Sequence, residues 1–321
     1  AGEDTLAGNQ GNDSLYGGPD NDTYLFNLGD GFDYISDESG AKDKILFGAG
    51  ITLANIKVEA SDASFIITLL DENDTITEDA LFISDGLLEN GKIEALAFSE
   101  DNTSLTYNQV LELIMPIEGN LDDNFLRGSI LNDTMNGQEG ADILSGLSGD
   151  DTLQGNTGND NIYGGEGNDT YLFNLGDGED IISDSQGYQD KITFSSGITQ
   201  ANLAFSVVDS DIMITLKDSN GVSTGDKITI AGALNTNNFI ETIVFEDGSS
   251  LNRSDIIALI GGQLGTDQDD ALEGTSENDI IFAEAGNDQI TGNEGHDYID
   301  GGEGIDTMSG GQGDDTYIID S

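Results

Sequence analysis

The sequence predicts an all-β chain: three parallel β-roll blocks, each a solenoid of short strands and tight turns, alternating with two β-rich segments that each end in a short helix. Three observations predict it. A nine-residue unit, G-G-x-G-x-D-x-U-x with U a large apolar residue, occurs 15 times in three arrays about 147 residues apart. Its sixth position is Asp in 14 of the 15 units, and its eighth is apolar in all 15. The stretches between arrays repeat one another and carry short β-branched and aromatic runs set among Gly, Asp and Asn. Two unlike positions held in phase at a short fixed period mean a solenoid, because a single unit cannot bury its apolar side chain without stacked neighbours.

The first block, 1–25, keeps Asp4, Asp13 and Asp22, followed by Leu6, Leu15 and Tyr24. The middle block, 118–172, has units starting at Gly119, Gly128, Gly137, Gly146, Gly155 and Gly164. Its sixth position holds Asn124, Asp133, Asp142, Asp151, Asp160 and Asp169, and its eighth Leu126, Met135, Leu144, Leu153, Ile162 and Tyr171. The last block, 264–321, starts units at Gly265, Gly274, Ala283, Gly292, Gly301 and Gly310. Its sixth position is Asp270, Asp279, Asp288, Asp297, Asp306 and Asp315. Tyr24, Tyr171 and Tyr317, one at the end of each array, are read as caps on the apolar row.

Nine residues divide into a six-residue turn and a three-residue strand, whose alternation leaves only the eighth side chain facing inward. Glycine permits the positive φ and close backbone approach that so tight a turn requires. Two units then make one coil, and each turn stacks on the turn two units later: Asp142 over Asp160, Asp288 over Asp306. Superposed carboxylates repel unless a cation lies among them. Ca²⁺ suits an all-oxygen set of carboxylates and turn carbonyls. An array of k units offers k − 2 places between coils, roughly nine in all for the three arrays.

The repeat resembles the RTX (repeats-in-toxin) calcium-binding nonapeptide, with GGEGNDTYL at 164–172 carrying every element. The resemblance implies a parallel β-roll, calcium-driven folding, export of the parent protein by type I secretion machinery, and a secreted, extracellular or cell-surface home. The sixth-position acids Asp4, Asp13, Asp22, Asp133, Asp142, Asp151, Asp160, Asp169, Asp270, Asp279, Asp288, Asp297, Asp306 and Asp315 are the expected ligands. Departures occur at the fourth position (Asp20, Asp122, Leu131, Gln268, Glu277) and at Asn124, so the first two units of the middle and last arrays are expected to bind weakly or not at all.

The segments 26–117 and 173–263 resemble the haemolysin-type calcium-binding related domain. YLFNLGDGFDYISD (24–37) matches YLFNLGDGEDIISD (171–184), and DKILF (43–47) matches DKITF (190–194). Each is expected to end in a helix, capped by Asn108 or Ser254 and stopped by Pro116 or Gly261. GDGFDYIS and GDGEDIIS are themselves G-x-G-x-D-x-U after a two-residue insertion. Either they add one coil and one ion site to each roll, with Asp33 over Asp13 and Asp180 over Asp160, or these acids only cap the roll or line a hairpin. Counting them, the expected load is about nine to eleven calcium ions.

Composition excludes several classes. The 321 residues hold 63 acids against 9 Lys and Arg, a net charge of −54, which argues against nucleic acid or an anionic membrane as a partner. No apolar run is long enough to span a bilayer. There is no Cys and one His, so disulfides, a zinc enzyme and a serine triad are excluded, and His296 reads as an exposed turn residue. An enzyme is not expected, and a monomer is. The chain opens in mid-repeat at Ala1, so a longer parent is expected, with any type I export signal beyond Ser321.

The leading expectation is a calcium-responsive folding and secretion module of a large extracellular toxin or adhesin. A polysaccharide-binding accessory, such as accompanies alginate epimerases, is the alternative; it would show a groove of basic or aromatic side chains. Ice binding needs a regular Thr or Asn row, and the third position reads Gln10, Pro19, Glu139, Ser148, Thr157 and Glu166 instead.

Overall fold

The structure, a computed structural model, describes residues 2–88, 93–114, 116–234 and 239–319. Its contacts form two compact units: Ala1–Gly119 with Phe125–Gly137 and Leu144–Thr152, and Asn120–Asn124 with Gln138–Ile143 and Leu153–Ser321. This grouping does not follow the breaks expected after residues 25, 117, 172 and 263.

The strand ladder shows why. In the first unit Thr5–Ala7 pairs in parallel with Thr23–Phe26, then Lys44–Phe47, then Ala95–Phe98. Leu6 lies beside Tyr24, Tyr24 beside Ile45, and Ile45 beside Leu96, so the step along the chain lengthens at each rung. A second sheet stacks Ser14–Tyr16, Phe32–Ser36 and Ile76–Ser84 in parallel, then turns antiparallel through Ser64–Leu70 and Ile56–Ser61. A parallel rung needs only its inward side chain and its backbone pairing. Extra residues therefore leave the roll as a hairpin without ending it. The ladder passes straight through residue 25.

The second unit repeats this plan. Asn161–Glu166, Glu179–Ser183 and Ser223–Ile230 form one parallel stack, and Thr170–Phe173, Lys191–Phe194 and Thr242–Val244 another, through residue 172. In the last array every step is the regular two units: Leu272, Ile290 and Met308 line one sheet, while Ile281, Ile299 and Tyr317 line the other.

The eighth-position row forms the core. Met135, Leu144, Leu153, Ile162 and Tyr171 are all buried. Leu15 and Ile35 of one sheet share a cluster with Tyr24 and Ile45 of the other. Each such apolar side chain contributes about 1.5–3 kcal/mol. Tyr24 and Tyr171 do not cap the row: each is buried in mid-ladder, between the rungs before and after it. Tyr317, on the last described rung, is 40% exposed.

Two short helices, Tyr107–Leu111 and Arg253–Leu259, close the segments. Their N-caps lie two residues before those expected. Gln109 accepts from the Thr106 amide at 3.0 Å, and Asn252 and Asp255 exchange amide bonds at 3.0 Å. The cap must precede the first helical turn, which places Asn108 and Ser254 inside it. Gly261, at φ +83°, ends the second helix in the left-handed conformation.

Candidate metal centre

In the later units of the arrays the second residue of the turn adopts positive φ, as at Gln138 (81°), Leu147 (85°), Asn156 (64°), Glu284 (72°) and Asn293 (84°). The fourth-position glycine follows in the same region, as at Gly140 (123°) and Gly149 (119°). Gly140 also admits the turn one coil earlier, since a Cβ there would sit 2.7 Å from the Asp122 carbonyl oxygen. The turns are thus drawn into close stacks.

Those stacks carry a ladder of carboxylates. Ten of these acids turn Oδ1 onto the backbone N–H of the sixth-position residue one coil earlier. Asp22 accepts from Asp4 (2.8 Å), Asp33 from Asp13 (2.9 Å), Asp142 from Asn124 (2.7 Å), Asp151 from Asp133 (2.7 Å), Asp160 from Asp142 (2.8 Å) and Asp180 from Asp160 (2.9 Å). In the last array Asp288 accepts from Asp270 (2.7 Å), Asp297 from Asp279 (2.9 Å), Asp306 from Asp288 (2.9 Å) and Asp315 from Asp297 (3.1 Å). The stacking expected of Asp142 with Asp160 and of Asp288 with Asp306 is present. Asp33 and Asp180 take the extra-coil positions.

In several of these acids the other oxygen is not satisfied. Oδ2 of Asp22, Asp33, Asp142, Asp160, Asp288 and Asp297 is buried without a hydrogen-bond partner. Burying half-satisfied carboxylates costs several kcal/mol unless a charge compensates. Burial pushes Asp160 up to about 6 and Asp180 up to about 7, with neighbouring carboxylates adding to the rise. It raises Asp33, Asp133 and Asp142 in the same direction.

The first units of the arrays differ. Asp133 turns Oδ2 onto the N–H (2.6 Å) and hydroxyl (3.0 Å) of Ser129. Asp270 does the same with Thr266 (2.6 and 2.8 Å), and Asp279 with Thr275 (2.6 and 3.2 Å). Ser129, Thr266 and Thr275 stand at the second position, as does Asn120, whose N–H donates to Asn124 Oδ1 at 2.6 Å, whereas the later units place a positive-φ residue there. Asp4, at the start of the ladder, is exposed.

Several acids of the ladder escaped the sequence reading. Asp43 accepts from the Asp22 N–H (2.6 Å) and Asp190 from the Asp169 N–H (2.7 Å), each across a coil longer than the regular one. Glu94 and Glu241 continue these columns by accepting from Asp43 and Asp190 (2.6 and 2.8 Å). Asp79 and Asp226 take the N–H groups of Gly31 and Gly178 (2.9 and 3.3 Å). Burial raises Asp43 to about 6 and Asp190 to about 8. The signal was present: all of these acids recur at matching positions in the two segments. His296 is exposed, its Nδ1 accepting from the Asp314 N–H at 2.9 Å.

Stacked turns, a shared apolar row and paired carboxylates with one open oxygen define a calcium-binding parallel β-solenoid. The family model for the RTX calcium-binding nonapeptide repeat (4 copies) matches residues 1–35, 118–153, 145–182, 264–299 and 291–318. That for the haemolysin-type calcium binding protein related domain matches 211–255. The chain therefore carries RTX calcium-binding nonapeptide repeats together with a haemolysin-type calcium binding protein related domain. No curated protein matches it. Among solved structures it is similar to the AlgE6R3 subunit of the Azotobacter vinelandii mannuronan C5-epimerase, at 32% identity over 36% of this chain and 74% of that one, with a TM-score of 0.29. It is also similar to the extracellular lipase LipA of Serratia marcescens, at 20% identity over 71% of this chain and 37% of that one, with a TM-score of 0.27. Among the described residues no helix is long and apolar enough to cross a membrane.

Proposed function

We propose that the ladder aspartates hold calcium between coils and that this drives folding of the chain outside the cell, after export in an extended state. The observation that carries the reading is the repeated open Oδ2 of Asp22, Asp33, Asp142, Asp160, Asp288 and Asp297. A hard divalent cation fits such atoms, and turn carbonyls fill out a shell of about six to eight oxygens. The load is on the order of ten ions. Extracellular calcium sites of this kind have Kd values of about 10⁻⁴–10⁻³ M, far above resting cytosolic levels. Inside the cell the net charge of −54 favours an expanded chain, which suits passage through type I secretion machinery. With no Cys to form disulfides, calcium is the staple available outside. The parent is a secreted or cell-surface toxin or adhesin, this region is non-enzymatic, and it works as a monomer.

The test is a calcium titration followed by circular dichroism and calorimetry. Strand signal should develop cooperatively with calcium, and a chain equally folded in EDTA overturns the mechanism.

One observation favours a second reading, polysaccharide binding. Tyr16, Tyr34 and Phe82 form an outward aromatic row, with centroids 6.4 and 5.5 Å apart, and Tyr16 is 66% exposed. Such rings can stack on sugars. Calcium-saturated chain should then be retarded on a neutral glycan gel, and Tyr16→Ala with Tyr34→Ala should abolish the retardation.

A further inference from the structure

We propose a second kind of ion site, in which a third carboxylate outside the nonapeptide pattern joins two ladder acids, built by Asp22, Asp37 and Asp43 beside the Tyr24 hydroxyl and repeated by Asp169, Asp184 and Asp190 beside Tyr171. The proposal deepens the calcium reading and rests on it. In each triad, one ligand atom per residue lies within 4.8 Å of the others, and all six acids are buried. A regular ladder site brings together two acids from turns one coil apart, as Asp142 and Asp160 are. Here the coil is longer, with Tyr24 pairing with Ile45 and Tyr171 with Ile192, and the lengthened turn supplies the third carboxylate.

The geometry of the first triad points to a cation. Asp22 and Asp43 are 0% and 1% exposed, and Oδ2 of each has no hydrogen-bond partner. Tyr24 donates its O–H to Asp37 Oδ2 at 2.5 Å, and Tyr171 does the same to Asp184 Oδ2 at 2.5 Å. The tyrosine therefore positions the third carboxylate and cannot neutralise it. Gly17 completes the cradle: a Cβ there would collide with the Tyr24 hydroxyl and lie 2.5 Å from Asp22 Oδ2 and 2.9 Å from Asp37 Oδ2. Among the described residues the ion pairs involve Lys57, Arg127, Lys227 and Arg253, so neither Lys42 nor Lys44 offsets the triad. Three negative charges with oxygen donors only, and no His or Cys, select a hard divalent ion of calcium's class over zinc.

The test uses the full chain carrying Asp37→Asn and Asp184→Asn, a change that leaves the tyrosine an oxygen to bond. Equilibrium dialysis against calcium should show two ions fewer than the unchanged chain, or two sites weakened at least tenfold. Circular dichroism in saturating calcium should stay the same. A full count at unaltered affinity overturns the proposal while leaving the ladder reading intact, whereas an unchanged chain that binds no calcium removes the ladder reading itself. Terbium supplies a readout that does not depend on how well those variants fold. Its emission excited through tyrosine should fall severalfold in Tyr24→Phe with Tyr171→Phe, and undiminished emission also overturns the proposal.

Discussion

Asp160 and Asp279 occupy the same place in the repeat and differ in one atom's surroundings. Asp160 Oδ2 is buried and open, whereas Asp279 Oδ2 is held by the Thr275 amide and hydroxyl. The difference lies in the second residue of the unit. Asn156 there takes φ of +64°, while Thr275 closes the turn with its own side chain. A donated hydroxyl thus occupies, in Asp279, the oxygen that stays open in Asp160. Asp160→Asn should therefore lower the calcium count measured by dialysis. Thr275→Val should leave the count unchanged and cost about 1 kcal/mol of stability in denaturant unfolding, the usual worth of a capping hydroxyl. Protons compete at the buried acids. Asp160, Asp180 and Asp190 are raised to about 6, 7 and 8 by burial. Raised folded-state values mean that the metal-free fold is favoured below about pH 4, where an unfolded Asp titrates, and loses that support as pH climbs toward 8. In EDTA, acidification from pH 8 to 4 should therefore increase strand signal. In calcium the same change should weaken binding, because the ligands must shed protons first.

At the scale of elements, the period was the legible part. Nine residues with one inward side chain dictate two units per coil, and the observed pairings of Leu272 with Ile290 and Ile281 with Ile299 follow from that arithmetic. The early units were marked in the sequence by their fourth position, while the structure sets them apart at the second, where Ser129, Thr266 and Thr275 each donate to the sixth-position carboxylate. What the period could not reveal is that a rung persists when its coil grows. Ile45 pairs with Leu96, far along the chain, because backbone pairing and one buried side chain are all a rung asks. Once spacing breaks, periodicity has nothing to count, so Asp43, Asp190, Glu94 and Glu241 went unread. Only the matching copies in the two segments mark them. The close approach of turns gives a sharper check than the strands. Gly149 has φ +119°, and a Cβ there would collide with the Leu131 carbonyl oxygen. Gly149→Ala should cost about 1–3 kcal/mol from backbone strain and overpacking, read as a lowered denaturation midpoint in saturating calcium.

Across the whole molecule the governing quantity is charge. A net −54 over 321 residues opposes any compact state, and burial of so many acids adds to that cost. Salt and calcium relieve it in different ways. Monovalent salt shortens the Debye length to about 10 Å at 0.1 M, which weakens repulsion between exposed acids but cannot satisfy a buried oxygen such as Asp33 Oδ2 or Asp297 Oδ2. On the proposed reading calcium neutralises those atoms where they lie, and because it would bind only stacked turns, each filled site would add about 2.7 kcal/mol at a hundred times its Kd. On the same reading neighbouring sites share the turn between them, so that filling one preorganises the next. Small-angle scattering should accordingly find a radius of gyration of about 60 Å for the chain in EDTA, the value for an unfolded chain of this length. Added sodium chloride should contract it modestly with no gain in strand signal. Calcium in the millimolar range should collapse it and raise strand signal together, with a Hill slope above one. Equal contraction and strand gain from sodium alone would mean that bulk repulsion, and not the open oxygens of the ladder, holds the metal-free chain apart.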